Sequence, residues 1–124
     1  MEKGVWYDVT KESIELSLMV ISVYKYLVDT KKEYIMSKQL LRSGTSIGAN
    51  IHEAQQWSSK KDFLYKMNIS LKEAYESQYW ITLLTRSWYL DGYESQQELQ
   101  EKVIEISKVL SKIVKSTKES LLKK

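Results

Sequence analysis

The stretch from Arg42 to Ala54, RSGTSIGANIHEA, holds the residues of this chain that are best suited to chemistry. Its two glycines are typical of a phosphate-binding loop, and its arginine, histidine and glutamate are residue types that act as acids, bases or metal ligands. A P-loop, however, follows a strand and ends in Gly-Lys-Ser/Thr, and this stretch has neither feature. We therefore interpret it as part of a helix and not as a nucleotide-binding loop.

Five polar residues fall on one side of this helix when successive residues are placed about 100° apart. This polar stripe consists of Gln39, Arg42, Ser46, Asn50 and Glu53. One interpretation is a structural network, buried or half-buried, that bonds to acidic residues of the next helix such as Glu73 or Glu76. The other interpretation is a polar pocket that binds a ligand or catalyses acid–base chemistry.

Catalytic and metal-binding residues are poorly represented in the chain. His52 is the only histidine, and it faces away from the polar stripe without a nucleophile to activate. Di-iron bundles need Glu-x-x-His motifs on pairs of helices, and the sequence has none. There is also no cysteine to supply a thiolate. We therefore predict no enzyme activity, no catalytic residues, no metal and no cofactor.

The two glycines of the same stretch need a structural explanation, because each costs about 1 kcal/mol relative to alanine within a helix. Gly44 and Gly48 lie one turn apart at the edge of the apolar side. Without side chains there, the backbone of a neighbouring helix can approach closely. We predict that these glycines mark a close contact between two helices.

The whole chain, residues 1–124, is expected to form one all-α domain. It contains no proline, and its polar capping residues divide it into four helices at about residues 10–30, 38–57, 60–90 and 96–121. The predicted capping residues are Thr10, Ser37, Ser59 and Ser95. Because every connection is short, the sequence predicts an antiparallel up-and-down four-helix bundle.

Two of the helices carry more apolar surface than one bundle core can use. The first is apolar nearly all round, and the third has a second apolar stripe on the side opposite its core stripe. This second stripe consists of Tyr65, Ile69, Trp80 and Leu83. Large aromatic and aliphatic side chains are typical of protein interfaces, so we predict that the bundle is a homo-oligomer. The alternative is that these residues lie singly on the surface.

Positive charge is concentrated in two parts of the chain, although the net charge is only +3. The C-terminal part contains Lys108, Lys112, Lys115, Lys118, Lys123 and Lys124, and the third helix begins with Lys60, Lys61 and Lys66. We predict that these lysines neutralise nucleic-acid phosphates, in a sequence-independent and salt-sensitive way. The alternative is a solvated helix face with a frayed basic tail.

Two stretches carry a resemblance to a known family: QLLRSGTSIGANIHEA and DFLYKMNISLKEAYESQYW. They resemble the helices of the four-helix-bundle proteins that are named after 23S ribosomal RNA intervening sequences. The resemblance extends from about Ser17 to Leu90. It implies a bacterial, cytoplasmic protein that assembles into a ring-shaped homopentamer. The chain is more distantly similar to the accessory variability protein of diversity-generating retroelements, which works with a reverse transcriptase and nucleic acid.

Two functions are therefore expected for this chain. The first is a non-enzymatic homo-oligomer that binds ribosomal RNA or another nucleic acid through its basic surfaces. The alternative is a protein-interaction scaffold whose oligomer recruits a protein partner without binding nucleic acid. The sequence has no secretory signal and no apolar segment of the length that crosses a bilayer, so we expect a cytoplasmic protein without a membrane partner.

Overall fold

Four helices make up the part of the chain that the computed structural model describes, residues 8–123. They are α1 (Val9–Asp29), α2 (Met36–Ala54), α3 (Lys60–Arg86) and α4 (Gln96–Leu122), and no strand occurs within these residues. Each helix packs against its neighbours in the chain, and α1 also packs against α4. The apolar sides of all four helices contribute to one core, whose largest fully buried side chains include Leu16, Ile47, Leu84 and Leu110.

The first two helices begin earlier than the sequence predicts, because acidic side chains cap them. Asp8 caps α1 by accepting a hydrogen bond from the Lys11 backbone N–H at 3.1 Å, so Thr10 lies inside the helix. At the start of α2, the buried Glu33 carboxylate accepts hydrogen bonds from three successive backbone N–H groups, at 3.2, 3.0 and 2.7 Å. The last of these N–H groups belongs to Ser37, which is therefore not the cap.

The other helix ends agree only partly with the sequence prediction. Ser59 caps α3 as predicted, with its hydroxyl accepting the Asp62 backbone N–H at 3.1 Å. This helix ends at Arg86, four residues before the predicted end, and turns follow it, with Gly92 at φ 85°. Ser95 precedes α4, but its side chain makes no capping hydrogen bond with any described residue, so the predicted capping box does not form.

The glycines of α2 mark the close helix contact that the sequence predicts. A Cβ atom placed on Gly44 would lie 2.8 and 2.9 Å from the two methyl carbons of Val20, which is fully buried in α1. A Cβ atom on Gly48 would lie 3.1 Å from the Ser13 hydroxyl. The absence of both side chains therefore allows α2 to pack closely against α1.

We expect Gly44→Ala to reduce the free energy of unfolding by about 2 kcal/mol, because the added methyl group overlaps a stiff, β-branched valine in a filled core. This loss outweighs the gain of about 1 kcal/mol that alanine brings to a helix. Gly48→Ala is the matched control, and its loss should be smaller because the serine hydroxyl is farther away. Denaturant unfolding at equal protein concentration measures both. A Gly44→Ala protein as stable as the wild type would contradict the close contact.

Candidate nucleic-acid interface

The lysines of the C-terminal half of α4 all lie on the surface. The side chains of Lys108, Lys112, Lys115, Lys118 and Lys123 are exposed, whereas Lys124 lies outside the described residues. The apolar side of α4 faces the core through Val103, Ile106 and Leu110. The period of the helix therefore separates a buried apolar side from an exposed basic one.

The structure brings the second lysine group to the same end of the bundle. Lys60, in the first turn of α3, donates a hydrogen bond from its Nζ to the Ser120 Oγ near the end of α4, at 2.6 Å. Lys61 beside it is exposed. Lysines of two groups that are far apart in the sequence therefore lie at one end of the bundle. We call it the basic end, which consists of Lys60, Lys61, Lys112, Lys115, Lys118 and Lys123.

Lys66 differs from the other predicted phosphate contacts because it already has an acidic partner. Its Nζ lies 2.6 Å from the Oε1 of Glu53, at the end of α2. This hydrogen bond to Glu53 raises the pKa of Lys66. Lys66 is thus an ion-paired residue on the α2 side of α3, and we do not include it in the basic end.

A groove opens between the α2–α3 connection and the last turns of α4, next to the basic end. It encloses about 310 Å³ and is lined by Trp57, Lys60, Phe63, Ser116, Thr117 and Ser120. The Trp57 ring contacts the Phe63 ring edge to face, with 6.2 Å between centroids. No sequence pattern singles out Trp57, because it precedes α3 and belongs to neither apolar stripe of that helix. Its proximity to α4 depends on how the helices pack.

The polar stripe of α2 does not form a single network. Arg42 donates hydrogen bonds to Glu73, at 3.2 Å, and to Glu76, two of the acidic partners considered from the sequence. Asn50 and Ser46 instead donate to backbone carbonyls one turn earlier in their own helix, at 2.9 and 2.7 Å. Glu53 pairs with Lys66, as described above, and Gln39 is half-buried.

The arginine and its partners face solvent, because 47% of the Arg42 side chain and 36% of the Glu76 side chain are exposed. The hydrogen bond to Glu76 raises the pKa of Arg42. The pKa of Glu76 is lowered, first by the hydrogen bond from Arg42 and then by one from the Trp80 indole N–H at 2.9 Å. This cluster joins α2 to α3.

The lowered pKa of Glu76 predicts how stability depends on pH. A carboxyl group with a lower pKa in the folded protein stabilises the fold above its unfolded pKa of about 4.3, and this contribution disappears as the pH falls through the folded pKa. We expect Glu76→Gln to lose less than about 1 kcal/mol at pH 7, because solvent screens the pair. The gap to the wild type should close under acid conditions. Unfolding curves of both proteins at neutral and acid pH measure it, and a gap that widens on acidification would contradict the assignment.

The predicted interface residues lie on the side of α3 that faces away from the core. Tyr65 is 65% exposed, and Ile69 and Leu83 are half-buried. Trp80 packs partly against the core and uses its indole N–H to bond Glu76. Trp80 is therefore held within the protomer more firmly than the other three, so we expect it to contribute to the edge of an interface.

Two further aromatic residues on this side of α3 are not among the predicted interface residues. Tyr75 and Tyr79 are 52% and 56% exposed, and Tyr79 contacts Trp80 edge to face. Tyr75, Tyr79 and Leu83 follow each other at four-residue spacing, which places them on one side of a helix. This spacing could have identified both tyrosines from the sequence. Together with Tyr65, Ile69 and Leu83 they form what we call the outer α3 face.

A second exposed apolar surface lies on α1. Ile14 and Leu18 are 46% and 59% exposed, and Ile21 and Val28 on the same side are half-buried. We call these four residues the outer α1 face. Both α1 and α3 pack against α2 and α4, while no close backbone contact joins α1 to α3 among residues 8–123. The two outer faces therefore lie on opposite sides of the bundle.

The sequence model of the 23S rRNA-intervening sequence protein family matches residues 6–112. The chain belongs to this family. The basic end, the groove and the outer faces are therefore features of a member of this family. The matched region includes Lys60, Lys61 and Lys112, whereas Lys115 and the lysines after it follow the matched region.

A solved structure supports the same assignment. It is the crystal structure of a protein of unknown function from the S23 ribosomal protein family of Bacteroides thetaiotaomicron. That protein is 48% identical in sequence to this chain, and the two structures superpose with a TM-score of 0.82. The similarity covers 86% of this chain and 98% of that one. Among curated proteins, none matches this chain.

None of the four helices, within residues 8–123, has the length and apolar character needed to cross a membrane. The same residues contain no group of three or more histidine, aspartate and glutamate side chains that could hold a metal ion.

Proposed function

We propose that this 23S rRNA-intervening sequence protein is a non-enzymatic, ring-shaped homo-oligomer that binds RNA or another nucleic acid through its basic end. The observation that carries the proposal is the contact between Lys60 and Ser120, which places the two lysine groups at the same end of the bundle. A few exposed lysines bind phosphates weakly in one protomer. Symmetry repeats them around the ring, and the binding energy grows with the number of phosphates that are neutralised together.

The proposed protomer is an antiparallel up-and-down bundle. Contacts between α3 and α4 support this direction, since Lys60 reaches Ser120 while Gln78, farther along α3, donates to Ser107, earlier in α4. In the same way, Ser70 of α3 donates to the carbonyl of Ile47, while Lys66, earlier in α3, pairs with Glu53, later in α2. Connections of a few residues between successive helices are those expected for antiparallel neighbours.

The proposed ring uses the outer α1 face of one protomer and the outer α3 face of the next. Two different faces on opposite sides of a protomer allow head-to-tail contacts, and such contacts close into a ring when the rotation permits. Exposed tyrosines on one face and aliphatic side chains on the other suit a protein interface. The number of five protomers rests on the family resemblance.

The proposed binding is tested by titrating a labelled homopolymeric RNA with the purified protein at increasing salt. Because lysine–phosphate contacts release counterions, we expect the logarithm of affinity to fall linearly with the logarithm of salt, by about 0.7 per phosphate contacted in a single strand. A protein that binds no RNA at low salt, or binds it equally well at high salt, would contradict the proposal.

The second candidate function, a protein-interaction scaffold, is favoured by one observation. Ile35 and Trp88 are 76% and 75% exposed and belong to neither outer face, so a partner protein could cover them in the oligomer. This candidate predicts an oligomer that is indifferent to RNA at every salt concentration, so the same titration separates the two functions.

A further inference from the structure

We propose that the groove beside Trp57 binds an unpaired base, so that the protein prefers single-stranded nucleic acid to duplex. This inference rests on the proposed function and specifies its ligand. The basic end supplies affinity for phosphates that any nucleic acid could use, whereas the groove adds a contact that only an unpaired base can make. Stacking of bases on aromatic side chains next to a basic surface is the general mode of single-strand binding.

The geometry of Trp57 suits such stacking. The residue is 51% exposed, so part of the indole is open to a ligand. Its edge-to-face contact with Phe63, at an interplanar angle of 65°, supports the ring from one side. The groove of about 310 Å³ is at the lower end of small-ligand sites, which begin at about 300 Å³. An aromatic ring held by the protein loses little entropy when a base stacks on it.

Three lysines lie next to this groove. Lys60 lines the groove, and its hydrogen bond to Ser120 fixes the ammonium group beside it. Lys112 lies four residues before Ser116, and Lys123 lies three residues after Ser120, so both project on the same side of α4 as the groove-lining serines. The phosphates on either side of a stacked base would meet these lysines.

Acidic side chains near Trp57 are largely engaged by other groups. Glu53 accepts a hydrogen bond from Lys66, and Asp62 accepts one from the Ser58 hydroxyl at 2.5 Å. Glu119 is exposed on α4 and is the acidic residue closest in sequence to the groove-lining Ser120. The hydroxyl leaves the Asp62 charge in place, but Lys60, Lys61, Lys112 and Lys123 outnumber Asp62 and Glu119, so the charge there favours a polyanion.

The test compares a labelled oligouridine with an RNA duplex of the same length, using fluorescence anisotropy at low salt. We expect Trp57→Leu to weaken oligouridine binding by roughly tenfold or more, since one base stack accounts for a factor of about 5 to 150. Duplex binding should not change, because a paired base cannot enter the groove. Trp57→Tyr keeps an aromatic ring and should retain most of the affinity. Oligouridine should also quench part of the wild-type tryptophan fluorescence, and this part should be missing in Trp57→Tyr.

Trp88→Leu is the matched control for this test. Trp88 is even more exposed than Trp57, but it follows α3 whereas Trp57 precedes it. The two residues are therefore about 40 Å apart along a helix that rises about 1.5 Å per residue. Trp88→Leu should bind oligouridine like the wild type. Thermal unfolding and light scattering on each variant confirm that it is folded and has the wild-type mass.

The outcomes separate this inference from the proposed function. If Trp57→Leu binds oligouridine as tightly as the wild type, in a salt-sensitive way, the groove inference is overturned and phosphate binding stands. An equal loss of duplex affinity in Trp57→Leu also overturns it, because the tryptophan would then act through the structure. Wild-type protein that binds neither RNA overturns both proposals. Absence of quenching despite RNA binding means that no base stacks on Trp57, which overturns the inference alone.

Discussion

Replacing Lys108, Lys112 and Lys115 together by glutamate is expected to weaken RNA binding by roughly 100-fold or more at physiological salt. Each lysine that pairs with a phosphate releases a counterion, so three lost pairs remove a large part of the electrostatic binding energy. The new carboxylates also repel the phosphates. All three side chains are exposed, so the substitutions should leave the core of the bundle intact. Anisotropy with labelled RNA at a fixed salt concentration measures the loss.

A matched control distinguishes the α4 lysines from net charge. Lys11, Lys25 and Lys38 are also exposed, but they belong to α1 and α2. Replacing these three lysines by glutamate changes the net charge by the same amount as the α4 variant does. We expect this replacement to weaken RNA binding far less. If both triple variants lose affinity equally, the binding follows the overall charge and not the position of the α4 lysines. If the α4 variant binds RNA like the wild type, its lysines are a solvated helix face.

Either Leu18→Glu or Tyr79→Glu alone is expected to convert the oligomer to a monomer. Leu18 is 59% exposed on the outer α1 face, and Tyr79 is 56% exposed on the outer α3 face. A carboxylate buried without a partner in the contact between them costs about 3–5 kcal/mol per junction. The monomer itself should remain folded, because each side chain faces solvent in the isolated bundle. Light scattering gives the mass of each variant.

Mixing the two variants tests the head-to-tail arrangement. The Leu18→Glu protomer keeps its outer α3 face, and the Tyr79→Glu protomer keeps its outer α1 face. One intact junction can therefore form between them, and we expect the mixture to contain a dimer that grows no further. If Tyr79→Glu dissociates the protein while Leu18→Glu leaves its mass unchanged, the interface is instead a symmetric contact between two outer α3 faces.

The fold follows from features that are local in the sequence. The seam of α4 repeats at helical spacing, and Gly44 and Gly48 stand one turn apart, so the helix and its close contact could both be predicted. The start of α2 was misplaced because Ser37 has the residue type of a cap, whereas Glu33 acts from outside the helix. Both side chains are buried, and the Ser37 hydroxyl bonds the Glu33 carbonyl while the Glu33 carboxylate accepts the free N–H groups of the helix.

The candidate site was less predictable, because it depends on packing between distant segments. Lys60 and Ser120 are separated by 60 positions, and only the fit of α3 against α4 brings them together. The same packing places Trp57 beside α4 and brings Lys66 into an ion pair with Glu53. Residue types therefore identified the lysines as candidates, while their grouping into one basic end required the arrangement of the helices.

The most direct test of the central claim, a symmetric oligomer that binds nucleic acid through its basic end, is size exclusion coupled to light scattering. The protein is treated with nuclease and then measured alone and with ribosomal RNA, at low and at high salt. We predict a multimer that carries RNA at low salt and releases it at high salt. A multimer indifferent to RNA would contradict the nucleic-acid function and favour the scaffold, and a monomer would contradict the oligomer itself.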